Sequence, residues 1–144
     1  MDEVLSPLHF LRSLGMLGLT VVVQAITQIA LTGFLQWLPP PRGRGHLDIR
    51  GVAYVVVAVT ILAVGLVGEV TLWALLYYWW GELGSFTNCV YVSLASFTTI
   101  GASGVALSPF HRIVGAVEAG VGMLMFGWST ALLFEVIQYT RGER

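Results

Sequence analysis

Three long apolar runs divide the chain. The run from Leu14 to Leu38 has no charged residue and would extend about 37 Å as a helix. The second, Gly51 to Trp80, is interrupted only by Glu69, and the third extends from Phe110 to Tyr139. A hydrocarbon core is about 30 Å thick, so each run is long enough to span a bilayer with some tilt. The pattern therefore predicts an all-α membrane protein with three transmembrane helices.

The segment between the second and third runs has a different character. Residues 81–110 are apolar but rich in glycine, serine and threonine, and Glu82 is their only acidic residue. Asn88–Thr99 would form a helix of about 18 Å, too short to cross a membrane. The overlapping run Thr98-Thr99-Ile100-Gly101-Ala102-Ser103-Gly104 fits neither a helix nor a strand, and Pro109 is expected to open the last helix. Non-helical backbone at membrane depth is tolerated only inside protein or beside water, so the segment predicts a re-entrant helix and pore loop.

Composition narrows the class of protein. Of 144 residues, 56% are hydrophobic and 10% charged, whereas soluble domains carry about one quarter charged residues. The net charge of −1 gives no support to nucleic-acid binding. The single cysteine, Cys89, excludes a disulfide within the chain. The sequence contains no Ser/His/Asp set, phosphate-binding loop or dinucleotide fingerprint. We therefore expect no enzymatic activity, cofactor or small-molecule substrate.

Basic residues predict the orientation. The loop at 39–50, which three prolines prevent from being a helix, and the carboxyl-terminal tail are expected on one side of the membrane. These two segments carry five of the seven basic residues, namely Arg42, Arg44, Arg50, Arg141 and Arg144. The positive-inside rule makes that side cytoplasmic and leaves the amino terminus and the pore loop outside. We expect a multi-pass protein of the plasma (inner) membrane. Residues 1–50 would supply an extra helix and a basic loop, and residues 51–144 a pore domain.

The pore-loop segment and its flanks resemble the pore module of potassium channels. In that family a short helix, a Thr-Val-Gly-Tyr-Gly filter and a closing helix follow one another, and filter carbonyls replace the hydration shell of the ion. Thr99, Ile100 and Gly101 match the first three filter positions. The resemblance covers about residues 51–139. With its additional first helix, the whole chain resembles a group of small bacterial channels. The flanking matches are Glu69–Tyr77, Glu118–Gly120 and Phe126–Ala131. The resemblance implies a homotetramer in lipid, with monovalent cations (K+ or Na+) at Thr99, Ile100 and Gly101, and with Thr98, Ala102 and Ser103 completing the filter.

The outer half of the filter departs from the family. Ala102 stands where the family has tyrosine, and Ser103 where it has a second glycine. Positive φ at Ser103 would cost roughly 1 kcal/mol or more. We therefore expect a reshaped or widened outer filter and weak selectivity. Three alternatives stay open: a tight loop that merely joins two helices, a non-conducting membrane scaffold with a channel-like fold, and a transporter in which Glu69 carries a proton.

Three carboxylates and two glycines are candidates for roles in or near the pore. Glu69 is a proton or ion site or, the interpretation we favour, a carboxylate hydrogen-bonded to an indole or hydroxyl group of a neighbouring helix. The resemblance implies a glutamate at Glu118, which either contacts an ion or, the interpretation we favour, supports the filter by accepting hydrogen bonds from the pore helix. Its candidate donors are Ser93, Ser96, Thr98 and Thr99. Glu135 forms either a ring at the inner mouth or an interfacial charge near water or Arg141. Gly120 and Gly122 are candidates for a gating hinge, or they allow close helix packing.

Two smaller groups of polar residues have structural interpretations. Gln24, Thr27 and Gln28 are expected to hydrogen-bond neighbouring helices. His111 lacks ligand partners at metal spacing, so we expect it and Arg112 to extend toward the membrane interface.

Overall fold

The described residues form four helices. The computed structural model describes residues 7–37, 49–109 and 111–141, with the side chains of 7–10 left aside. The helices are α1 (Pro7–Trp37), α2 (Ile49–Trp79), α3 (Phe86–Phe97) and α4 (Arg112–Arg141). Three of them, α1 from Leu11 onward, α2 and α4, are long and apolar enough to cross a membrane. This confirms the predicted all-α class and the three candidate spans. The remaining helix, α3, has 12 residues and is about 18 Å long.

Helix boundaries differ most clearly from the predictions at the beginnings of α1 and α4. α1 is already helical at Pro7, the first residue that the structure describes, rather than from Leu14, and proline is tolerated in the first turn of a helix. α4 begins at Arg112 rather than Phe110, because the Ser108 carbonyl accepts the N–H groups of both His111 and Arg112 and closes a turn ahead of the helix. The basic loop at 39–48, Phe110 and the tail beyond 141 lie outside the described residues.

The long helices alternate in direction. Trp73 near the end of α2 contacts Thr20 of α1, while Gly65, two turns earlier in α2, lies against Thr27, farther along α1. α1 and α2 are therefore antiparallel, and the contact between Glu118 and Tyr77 makes α4 antiparallel to α2 as well. As a result Arg50 and Arg141 lie at one end of the bundle, and Arg12 and Arg112 lie at the other.

The short helix α3 packs against α2 and α4 near the end of the bundle where α4 begins. Large buried side chains from these helices, including Trp73, Tyr77 and Phe97, form the core around it. A second core at the opposite end joins α1, α2 and α4 through Leu31, Leu62 and Val136. α3 thus occupies one end of the bundle, and its carboxyl end is directed into the protein.

Candidate functional site

The ends of α3 are defined by local hydrogen bonds. Ser85 is the N-cap, and its side chain accepts from the Asn88 N–H at 3.2 Å. At the other end, the Thr98 N–H still donates to the Leu94 carbonyl, but the next residue turns left-handed. α3 therefore begins at Phe86 and ends at Phe97, two residues earlier at each end than predicted. The loop after Phe97 belongs to no helix or strand.

The loop carries three left-handed residues. Thr99, Gly101 and Gly104 have φ of 62°, 79° and 77°. Glycine adopts this conformation freely, but a β-branched threonine does so at a cost of about 1–3 kcal/mol. Among the described residues Thr99 is the only non-glycine with positive φ. Ser103 does not adopt positive φ, and Gly104 supplies the left-handed turn one residue later.

Backbone and side-chain contacts hold the loop against α3. The Gly101 N–H donates to the Ala95 carbonyl at 3.0 Å. The hydroxyl of Tyr91 accepts from the Ser103 N–H at 3.1 Å and lies 3.4 Å from the Ser103 carbonyl oxygen. Sequence reasoning missed Tyr91, because only the folded loop brings residue 103 back to the middle of α3. Tyr91 thus holds the part of the loop that follows Ala102 against α3.

A hydrogen-bonded carboxylate links three helices behind the loop. Glu118 of α4 is fully buried. The Tyr77 hydroxyl of α2 donates to its Oε2 at 2.5 Å, and Ser93 Oγ of α3 lies 2.6 Å from its Oε1 and 2.8 Å from the Val70 carbonyl oxygen. The expected hydrogen bond with Ser93 is present. Thr98 donates instead to Leu94 of its own helix, and Tyr77 was not anticipated from the sequence.

α4 approaches the end of α3 at a glycine. A Cβ on Gly122 would lie 2.9 Å from the Phe97 carbonyl carbon and still closer to its oxygen. A Cβ on Gly120 would meet no atom within 4 Å. The close packing of α4 on α3 explains why residue 122 is a glycine. A role of Gly120 or Gly122 as a gating hinge stays a prediction.

A polar cluster holds the end of the loop that precedes α4 against the residues that follow α2. Glu82 accepts from the Ser108 N–H at 2.8 Å and from Ser108 Oγ at 2.9 Å, and its Oε1 lies 2.6 Å from His111 Nδ1. The His111 ring stacks on Trp80 at 4.3 Å. Burial raises the pKa of Glu82, but the hydrogen bonds from Ser108 and His111 outweigh it and lower the pKa below its ordinary value. His111 is therefore held by Glu82, a contact that the sequence did not predict, and its place at the membrane interface stays a prediction.

Two other acidic candidates lie away from the loop. Glu69 is fully buried, but neither carboxylate oxygen has a hydrogen-bond partner among the described residues. The expectation of a hydrogen bond to an indole or hydroxyl group was wrong, since Trp73 one turn away donates to Thr20 instead. Glu135 is half-buried and lines a cavity of about 260 Å³ with Thr32 and Gln36 of α1.

Polar residues of α1 also make helix contacts. Gln24 Nε2 donates to Ser129 Oγ of α4 at 3.0 Å, which confirms the predicted contact between helices. The Thr27 hydroxyl donates to the Val23 carbonyl of its own helix, contrary to expectation. Gln24 therefore joins α1 to α4.

Comparison of the chain with protein-family models, with curated proteins and with solved structures gives no match. The geometry of the loop and its supports is therefore what bears on function.

Proposed function

We propose that the chain is one subunit of a tetrameric, weakly selective cation channel whose filter is the loop from Thr98 to Ser103. The proposal rests mainly on the position of the carboxyl end of α3, which lies deep within the length of α4. Phe97 contacts Gly122, about ten residues and about 15 Å inside α4. The loop thus begins inside the thickness spanned by α4. Backbone at that depth requires protein or water around it.

The exposure of the loop supports a water-filled pore rather than a buried connection. In the single chain Thr99, Ile100 and Gly101 are exposed, and Ile100 is 82% exposed. The opposite side of the loop is held by Tyr91 and by contacts with α3. An exposed apolar side chain as large as that of Ile100 is typical of a surface that contacts another protein, here further copies of the chain. One loop cannot surround an ion, so four copies around an axis are needed.

Charge favours cations over anions. The carboxyl end of a helix carries a partial negative charge, and α3 ends at Phe97 directly before Thr99. Four such helix ends around an axis would attract cations to sites at Thr99, Ile100 and Gly101. The proposed orientation has the amino terminus outside and the carboxyl terminus in the cytoplasm, in the plasma (inner) membrane.

Mass and ion flux test the proposal together. Native mass measurement of the purified chain in detergent should give four subunits. After reconstitution into liposomes, reversal potentials under bi-ionic conditions should show conduction of both potassium and sodium with little discrimination, because Ala102 and Ser103 remove two fixed elements of the outer filter. A stable monomer or dimer in lipid, or the absence of any cation flux, would overturn the proposal.

A backbone variant tests the loop itself. Gly101→Ala places a Cβ on a residue with φ of 79°, at a cost of about 1–2 kcal/mol. Conductance should fall while the tetramer persists, because the strain is confined to the loop. Gly33→Ala is the matched control, since Gly33 lies in α1 and a Cβ there would meet no atom within 4 Å. Equal conductance of the two variants would show that the loop does not line the conduction pathway.

A further inference from the structure

Buried oxygen atoms lie without donors at the junction of α1, α2 and α4. Both side-chain oxygens of Glu69 and the Oε1 of Gln24 have no hydrogen-bond partner in the described ranges. Both residues are fully buried. A buried polar group without a partner is costly, and a charged group more so. These three oxygens therefore require an explanation that the loop does not provide.

The helix register brings the two residues together. α1 and α2 are antiparallel, and Trp73 Nε1 donates to Thr20 Oγ1 at 3.1 Å. One turn from this pair, toward the end of α1 and the start of α2, we expect Gln24 to lie opposite Glu69, because each lies four positions along its own helix from a member of the pair. The adjacent approach of Gly68 to Val23 agrees with this register.

α4 completes the junction. Gln24 Nε2 donates to Ser129 Oγ at 3.0 Å, which leaves its Oε1 without a donor. The junction thus holds a carboxylate and an amide oxygen, with a serine hydroxyl nearby and the Thr20 hydroxyl one turn away. Oxygen ligands of this kind suit hard alkali cations.

The chain itself offers no positive charge for Glu69. All seven basic residues are arginines, and none occurs in the sequence between residues 12 and 42, 50 and 112, or 112 and 141. The arginines among the described residues, Arg12, Arg50, Arg112 and Arg141, lie near the helix ends, whereas Glu69 lies in the interior of α2. A carboxylate in a membrane interior is stabilised by a cation or by a proton. Neither is supplied by a basic residue near Glu69 in the sequence.

We infer that Glu69, Gln24 and Ser129 form a binding site for one sodium ion, which fastens α1 to the rest of the bundle. A single carboxylate balances one monovalent charge. α1 and α2 approach closely at Gly65, one turn from Glu69, since a Cβ there would lie 2.5 Å from Thr27 Oγ1, and this local approach favours the smaller alkali ion. The site is separate from the loop at Thr98–Ser103 and does not depend on the proposed conduction.

Thermal unfolding of the purified full-length chain tests the site. The midpoint is followed by tryptophan fluorescence at neutral pH in sodium, potassium or N-methyl-glucamine chloride of equal ionic strength. Sodium should raise it by about 3–10 °C over N-methyl-glucamine, because a ligand that binds the folded state stabilises it. Potassium should raise it less. Glu69→Gln and Gln24→Leu should lose the sodium-dependent rise. Glu118→Gln, which alters a buried carboxylate with donors to both oxygens, should keep it.

Variants separate this site from the proposed filter. Gly101→Ala should keep the sodium-dependent rise, since the loop lies elsewhere. If sodium no longer raised the melting midpoint of Gly101→Ala but still raised that of Glu69→Gln, the ion would be bound in the filter, and the inference would be overturned. A midpoint that responds to pH but not to sodium would show that a proton occupies Glu69, and would overturn it as well.

A binding measurement covers the case in which the Glu69 and Gln24 variants fail to fold. Equilibrium binding of radioactive sodium to the unaltered protein should give one ion per chain at the Glu69 site, in addition to any ions in a filter shared by four copies, and Gly101→Ala should keep the one ion per chain. No binding, or binding that Gly101→Ala abolishes, would refute the site.

Discussion

Replacement of Gly122 by alanine should loosen the loop by displacing α3. The new Cβ would lie 2.9 Å from the Phe97 carbonyl carbon and 3.1 Å from its Cα, whereas ordinary contacts begin at 3.4 Å. The Phe97 oxygen is closer still, so α4 or the end of α3 must shift. These neighbours are backbone atoms, which cannot rotate away as a side chain does. Overpacking of this kind costs about 1–3 kcal/mol.

Gly120→Ala is the matched control for this clash. A Cβ at Gly120 would meet no atom within 4 Å. Both substitutions gain about 1 kcal/mol of helix propensity, so the gain cancels when the two variants are compared. The difference in free energy of unfolding that remains is the clash with Phe97, about 1–3 kcal/mol.

Thermal unfolding and ion flux measure the effect of Gly122→Ala. Its midpoint should lie about 3–10 °C below that of Gly120→Ala. Its cation flux in liposomes should also fall, because Phe97 directly precedes the proposed filter. Equal midpoints for the two variants would refute the contact between α4 and the end of α3. A lowered midpoint with unchanged flux would show instead that the loop tolerates movement of α3.

Three further changes test the supports of the loop. Glu118→Ala should lower the free energy of unfolding by about 1–3 kcal/mol, chiefly because the Tyr77 hydroxyl loses its acceptor, while Ser93 keeps the Val70 carbonyl; Glu118→Gln should lose less, since the amide keeps one acceptor oxygen, and equal melting of the two variants would contradict this. Tyr91→Phe should cost about 0.5–1.5 kcal/mol and alter the potassium-to-sodium reversal potential, because the Ser103 backbone loses its hydroxyl contact; unchanged selectivity would show that Tyr91 does not hold the outer part of the proposed filter. The pKa of Glu82 is lower in the folded protein than its ordinary value of 4.5. The carboxylate therefore stabilises the fold fully above pH 4.5. This stabilisation is lost as pH falls through the lower pKa of the folded protein, because the carboxylate that accepts from Ser108 is then protonated. Melting midpoints of the unaltered protein should therefore fall more steeply below about pH 4 than those of Glu82→Gln, and parallel curves would exclude Glu82 as the cause.

The sequence by itself determined the helices of this protein. Length and hydropathy depend on local composition, so the ends of α2 and α4 were predicted to within two residues, whereas α1 extends seven residues further back than predicted. The short length of α3 and the irregular loop after it were equally local properties. Their interpretation as a pore helix and filter rests on family resemblance and stays a prediction.

The tertiary structure decided which residues support the loop. Tyr77 and Glu118 are 41 residues apart, and Glu82 and His111 are 29 apart. Such contacts depend on the rotation and register of helices that are apolar around most of their circumference, so hydrophobic periodicity carries little information about which faces meet. Charge alone identified Glu118 and Glu69 as unusual. Only the packing of the helices gave Glu118 two hydrogen-bond donors and left Glu69 without one among the described residues.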